Sequence, residues 1–148
     1  MLAAHVHNPR VRLGGPLFTK YKDPGEWTKA LTQAGYRAAY CPVGNDATGE
    51  EIRFYKAEAS RADIVISEVG VWVNTISPDE SERKASIDKC VKGLQLADEI
   101  GAMCCVNTSG SRNKEHWAGP HKDNLTRDTF DLVVETTQQI IDTVKPRN

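Results

Sequence analysis

No run of apolar residues in this sequence approaches the roughly 20 that a membrane-spanning helix needs. Neither sign of charge is in excess: 19 basic residues face 20 acidic ones, for a formal net charge of −1. That balance lacks the basic footprint of a nucleic-acid binder, and no long single-sign run suggests a solvated tail. Cys41, Cys90, Cys104 and Cys105 form no CxxC pair and no disulfide-scaffold spacing, which leaves buried, reduced thiols as the plain reading. HExxH, GxSxG, a Walker loop and a dinucleotide fingerprint are all missing, so the chemistries those motifs carry have no support. The 4 histidines are too scattered for a zinc site. His5 and His7 fall in an unpatterned N-terminal segment, and His116 and His121 in a polar stretch. Met1 to Arg12 has no apolar core of signal-peptide length. The expectation is a cytoplasmic protein with neither nucleic acid nor membrane as partner.

What is present is an ordinary globular composition. With 39% hydrophobic and 26% charged residues over 148 positions, the chain suits one domain, 1–148, large enough to bury a core.

The pattern is a repeated short apolar segment followed by a capped amphipathic helix. The first helix starts at Asp23-Pro24-Gly25-Glu26, with Asp23 as N-cap, Pro24 as first helical residue and Glu26 as reciprocal capping partner. Trp27, Ala30, Leu31 and Ala34 share its inner face, and Gly35 ends it. The second starts at the capping box Thr48-Gly49-Glu50-Glu51 and carries Ile52, Tyr55 and Ala59 inward. The third starts at Ser77-Pro78-Asp79-Glu80, with Ile87, Cys90, Val91, Leu94 and Ala97 as its stripe and Gly101 as its end. The fourth starts near Thr126 and has the longest apolar face, Phe130, Val133, Thr137, Ile140, Ile141 and Val144, before Pro146.

Four strand candidates lie between them: Val11 to Gly14, Tyr36 to Cys41, Ile64 to Val69 and Ala102 to Asn107. The last two are nearly continuous apolar runs, the signature of parallel strands covered on both faces. Alternating strands and helices predict an α/β fold with a parallel sheet. In such a sheet the loops after the strands gather at one edge and build the site.

Glu68 interrupts the third strand. A carboxylate among apolar neighbours costs several kcal/mol, on the order of what one lost core contact costs, unless it is paired or wet. By two-residue alternation Glu68 shares a face with Ile64 and Ile66, at the strand's open end. Two readings stand: a charge satisfied by Arg12 or Arg37 across the sheet, or a ligand contact. The other strand ends add Gly14-Gly15-Pro16-Leu17-Phe18, Tyr40-Cys41-Pro42-Val43-Gly44, Gly70, Trp72 and Asn74, and Asn107-Thr108-Ser109-Gly110-Ser111-Arg112. Aromatic rings, hydroxyls, an amide and glycines suit a polyhydroxylated ligand. The polar loop from Ser109 to Asn124 is long enough to be functional.

SEVGVWVN followed by VNTSGSRN, with LGGPLF near the start and CPVG after the second strand, resembles the sugar phosphate isomerase/epimerase family, xylose-isomerase-like TIM barrels. The resemblance runs from about Val11 to Pro146 and rests on the order and spacing of short motifs. It implies four consecutive βα units of a parallel (β/α)₈ TIM-type barrel, a half-barrel corresponding to the N-terminal half. It also implies a metal-dependent enolisation of a keto-sugar in the intact barrel, with a divalent metal (Mn, Mg, Zn or Co) and an acid/base pair drawn from the other half. No metal is expected on this chain, and its catalytic residues are unknown. By position, the substrate-lining residues are Phe18, Tyr40, Glu68, Trp72, Asn107, Ser109 and His116. Related barrel endonucleases carry zinc-binding histidines at first-half strand ends, where this chain has Tyr40-Cys41 and Val69-Gly70, so the nuclease reading is disfavoured.

Four parallel units leave two open edges and an uncovered inner face. The expected partners are a small sugar or sugar phosphate and either a missing C-terminal half-barrel or a second copy in a homodimer; a self-sufficient open sheet is the third possibility. Alone, the chain is expected to be inactive. Competing functions are a non-catalytic carbohydrate-binding or assembly half-barrel, and a lyase, dehydratase or hydrolase on the same fold.

Overall fold

A computed structural model describes residues 11–147. His5 and His7 lie outside the described residues. The elements run α1 (Pro24–Gln33), β1 (Ala38–Tyr40), α2 (Gly49–Arg61), β2 (Val65–Val71), α3 (Glu80–Ile100), β3 (Cys105–Asn107), a 3₁₀ turn (Lys122–Leu125) and α4 (Arg127–Val144). The strands form one parallel sheet in the order β1-β2-β3.

The helix starts follow local chemistry. Asp23 accepts from Glu26 N at 2.8 Å and Pro24 occupies the first turn. Glu26, however, turns back to Lys22 N rather than to the cap itself. Thr48 and Glu51 form the full reciprocal box. The third helix starts later than its Ser-Pro signal suggests. Asp79, not Ser77, is the N-cap, accepting from Glu82 N at 2.8 Å. A residue before proline is driven away from helical dihedrals, which holds Ser77 outside the helix. Its hydroxyl donates to Glu82 at 2.7 Å and accepts from Asp79 N at 3.1 Å. Thr126 caps α4, and Lys145 ends it in a left-handed conformation with φ 50°.

Apart from β2, which runs on to Val71, the strands are shorter than expected, and the first is reduced to a bridge. Val11 to Gly14 contributes one parallel bridge, Gly14 to Ala38, with Leu13 O accepting from the amides of Arg37 and Ala38. Three strands, not four, are therefore formed among the described residues. β1 and β3 are likewise trimmed to 3 residues each.

β2 carries the second departure. Ala39 pairs with Ile66 and Tyr40 with Glu68, so Ser67 is an extra residue and the register shifts. Ser67 Oγ donates to Ala39 O at 2.8 Å, which fastens the bulge to β1. Ile64 and Ile66 are buried before it, Val69 and Val71 after it. The skipped beat keeps the apolar side chains on the helix-covered face and turns Glu68 off it. Glu68 thus shares its face with Gly70 and Trp72, not with Ile64 and Ile66.

One core joins these elements: Trp27 and Leu31 from α1, Ile52 and Ala59 from α2, Ile66, Val69 and Val71 from β2, and Cys90, Leu96, Ala97 and Ile100 from α3. Tyr55 meets Trp27 edge-on, with ring centroids 5.5 Å apart. In α3 the expected Ile87, Val91 and Leu94 are only partly buried, because the face centred on Ser86, Cys90, Gly93 and Ala97 is the one against the sheet. In α4 the buried residues are Thr129, Thr136 and Ile140, whereas Phe130, Val134 and Ile141 are exposed. Half of the apolar face expected of α4 is thus largely exposed, with the Arg127 guanidinium over the Phe130 ring at 5.3 Å.

Gly93 shows how close the helix–sheet contact is. A Cβ at this position would stand 2.2 Å from Val71 Cγ2. Alanine normally gains about 1 kcal/mol over glycine inside a helix. Here that gain is outweighed, since buried valine has few rotamers to escape into. Gly93→Ala is expected to lower stability by about 1–3 kcal/mol, the range of an overpacked core. Urea denaturation of the two proteins measures it, and equal or higher stability in the variant contradicts the packing described.

Candidate functional site

All three strands point the same way, so the segments after β1 and β2 meet at one edge of the sheet. There they line an open cleft of about 520 Å³. Tyr40, Cys41, Val43, Gly44 and Asn45 form one wall; Glu68, Val69, Gly70 and Trp72 form the other. Trp72 is 59% exposed, and Gly70 is what lets its indole lie back along the strand end: a Cβ there would come within 3.0 Å of Trp72 Nε1.

Glu68 is half-buried in this cleft. Arg12 is engaged with Asp63 at 2.9 Å, and Arg37 turns to Thr32 and the Tyr36 carbonyl. The ion pair with Arg12 or Arg37 is therefore not formed. No side-chain hydrogen bond or ion pair holds the Glu68 carboxylate among the described residues. Since no buried side-chain oxygen there is left unsatisfied, the carboxylate reaches solvent through the cleft.

Of the seven residues expected to line substrate, Tyr40, Glu68 and Trp72 come together. The others do not join them. Phe18 is 94% exposed on the loop before α1 and stands outside the cleft. Asn107 sits at the end of β3, but its amide approaches Cys90 Sγ at 3.6 Å and lines a separate hollow with Leu94 and Ile140 on the helix side. Ser109 is exposed, and its carbonyl accepts from Thr75 Oγ1 at 3.2 Å. His116 is an exposed loop residue whose backbone N–H is held by Asn113 Oδ1 at 3.1 Å. Alternation along a three-residue strand explains Asn107, and loop geometry explains the other three.

Cys41, from the strand-end segment Tyr40 to Gly44, also lines the cleft, and Asn45 joins it from just beyond that segment. Cys41 Sγ lies 3.4 Å from the Val43 carbonyl, and burial pushes its thiol up from the ordinary value. Burial, with Cys90 and Cys104 nearby, raises Cys105 to about 11. Thiols shifted this way stay protonated and unreactive near neutral pH.

The feature that sequence reading passed over is a buried polar clamp beside the cleft. Asn74, 2% exposed, faces Ser111, 0% exposed. Asn74 Nδ2 donates to Ser111 O at 2.8 Å, and Asn74 Oδ1 accepts from Ser111 N at 3.0 Å and Ile76 N at 3.2 Å. Asn124 extends the network, donating to Ser111 Oγ and accepting from Arg112 N. Arg112 itself donates to the Ile76 carbonyl at 2.8 Å. The loop after β2 and the loop after β3 are thereby one body. Gly110 makes the approach possible: its φ is +92°, and a Cβ would fall 2.0 Å from Asn74 Oδ1. Among the described residues, no three of His, Cys, Asp and Glu gather as metal ligands.

Two solved structures have this fold. A 3-keto-D-glucoside 4-epimerase from E. coli, in its apo form, matches with a TM-score of 0.62 and 12% identity over 89% of this chain and 51% of its own. A D-psicose 3-epimerase from Clostridium cellulolyticum H10, solved with D-tagatose, matches with a TM-score of 0.59 and 15% identity over 84% of this chain and 44% of its own. The chain spans about half the length of each. At these identities the likeness is one of fold. No family model matches the chain, and no curated protein sequence does.

Removing the Asn74 amide strands buried partners on both loops. Asn74→Ala is expected to cost about 2–4 kcal/mol, the scale of several buried groups left unpaired. Gly110→Ala is expected to be destabilising too, because both its dihedral and its space forbid the methyl. Thermal melts test both; a loss below about 0.5 kcal/mol, the size of an ordinary surface change, in either variant contradicts the clamp.

Proposed function

We propose that this chain is the sugar-lining half of an isomerase- or epimerase-type (β/α)₈ barrel of the xylose-isomerase-like kind. The convergence of Tyr40, Glu68 and Trp72 on one cleft at the carboxyl edge of a parallel sheet carries this reading. The fold shared with two sugar epimerases, each about twice as long, supports it.

The chemistry of the cleft fits a sugar. The faces of Tyr40 and Trp72 suit the C–H faces of a pyranose or open-chain ketose, while their polar atoms stay wet. Glu68 accepts hydrogen bonds from hydroxyls, and Asn45 both donates and accepts. Gly44 and Gly70 let the ligand approach backbone. Enolisation beside a carbonyl also needs a base, an acid and a cation for the developing enolate. Glu68 with Cys41 and Asn45 does not make a divalent-metal site, so no metal-dependent step is assigned to this chain. Its residues bind and orient the sugar; the metal and the acid/base pair belong to the half that completes the barrel. Completion comes from a C-terminal half-barrel or a second copy of this chain. The exposed Phe130, Val134 and Ile141 on α4, beside the free edge of β3, are the surfaces either would cover.

The second reading is a non-catalytic carbohydrate-binding half-barrel. It is favoured by the cleft's having binding groups but one carboxylate only.

Titration with D-tagatose, followed by tryptophan fluorescence and by NMR shifts of the cleft residues, is expected to give saturable binding. Trp72→Ala and Tyr40→Ala each weaken it at least tenfold without lowering the melting temperature. Unchanged binding in both variants rules the cleft out, and conversion of the sugar by the isolated chain rules out the division of labour. Light scattering gives the partner: a discrete dimer supports pairing of copies, and a mass that rises without limit supports a missing half. A stable monomer removes the need for either.

A further inference from the structure

We infer that the cleft takes an uncharged sugar, free or glycosidic, and discriminates against sugar phosphates. This rests on reading the cleft as a sugar site, and it deepens that reading.

The first observation is the lining. Of the nine residues that form the cleft, Glu68 alone is acidic, and none is basic. Its carboxylate is half-buried, open to the cleft, and free of any cationic side chain among the described residues. A phosphate laid in the cleft therefore meets a carboxylate with no cation among the lining residues to offset it.

The second observation is where the nearby cations go. Arg112 and Lys114 follow β3 on the loop best placed to reach over the sheet edge. Arg112 is committed to the carbonyl of Ile76 at 2.8 Å, inside the clamp. Lys114 lines another hollow, shared with Ser77, Asp79 and Glu82.

The third observation concerns the helix N-termini. These are the usual phosphate cradles of α/β folds, because their first N–H groups lack partners and the helix dipole favours an anion. Here the starts of α1, α2 and α3 are occupied by the chain's own acidic groups: Asp23 at α1, Glu51 with Thr48 at α2, and Asp79 with Glu82 and Ser77 at α3. α4 begins with Thr126 as cap and Asp128 in its first turn. A second anion at any of these ends competes with a resident one.

What remains in the cleft is hydroxyl chemistry: a carboxylate to accept, a carboxamide to donate and accept, and ring faces to stack against. An uncharged polyol satisfies all of it.

The test compares D-tagatose with D-tagatose 6-phosphate by calorimetry, on the wild-type chain and on Glu68→Gln and Glu68→Lys. The neutral sugar is expected to bind at least tenfold more tightly than its phosphate to the wild-type chain. Glu68→Gln narrows that ratio several-fold, and Glu68→Lys narrows it further or reverses it. Equal or tighter binding of the phosphate by the wild-type chain overturns the inference while leaving the sugar site intact. So does a ratio that neither variant changes. If neither ligand binds, the sugar-site reading has failed, and this inference falls with it. The wild-type comparison alone decides the matter should a variant not fold.

Discussion

One extra residue in β2 governs how this chain separates apolar from polar. Without the bulge at Ser67, strict alternation would place Glu68 among the buried side chains with Ile64 and Ile66, and Val69 and Val71 would face away from α3. The bulge costs one irregular pairing, offset in part by the Ser67–Ala39 hydrogen bond. In return, the helix-facing surface stays apolar along the whole strand. The same displacement aims Glu68, Gly70 and Trp72 at the cleft. Fold and candidate site thus depend on a single local irregularity.

Most of the architecture was legible because helix starts are local. Asp23, Thr48 and Thr126 are caps whose partners lie three residues on, and short-range chemistry of that kind does not wait for tertiary structure. At the α3 start two overlapping signals compete, and Asp79 wins once proline has held Ser77 extended. The first strand was overestimated for the opposite reason. An extended apolar segment becomes a strand only if a neighbour pairs along its length, and Leu13 and Gly14 find that neighbour in just one or two places.

The site was legible where it stands on strand ends and illegible where it depends on loops. Tyr40, Glu68 and Trp72 follow from strand direction, but the two-residue period puts Glu68 on the face of Ile64 and Ile66, because spacing does not announce the bulge at Ser67. Asn107 fails by the same logic, since one position on a short strand decides which side of the sheet it serves. Asn74, Ser111 and Asn124 are separated by as many as 50 positions, and nothing in their spacing announces that they meet. Three common polar residues become a buried network only through the fold that assembles them. Arg112 illustrates the consequence for function: its guanidinium, on the loop after β3, is tied to the carbonyls of Ile76 and Ser77 on the loop after β2.

The Asn74–Ser111 pair has a kinetic side. Its two opposed hydrogen bonds let one side chain hold both backbone groups of Ser111, beyond the last residue of β3. In the loop after β3 the amides of Ser111, Arg112 and Asn113 are each held by a side-chain oxygen although no strand runs there. The loop after β1 has no comparable brace among the described residues. The cleft accordingly has one stationary jaw and one yielding one. A ligand ordering this site forfeits chain entropy on the Cys41–Asn45 side, and the opposite wall is already in place when it arrives.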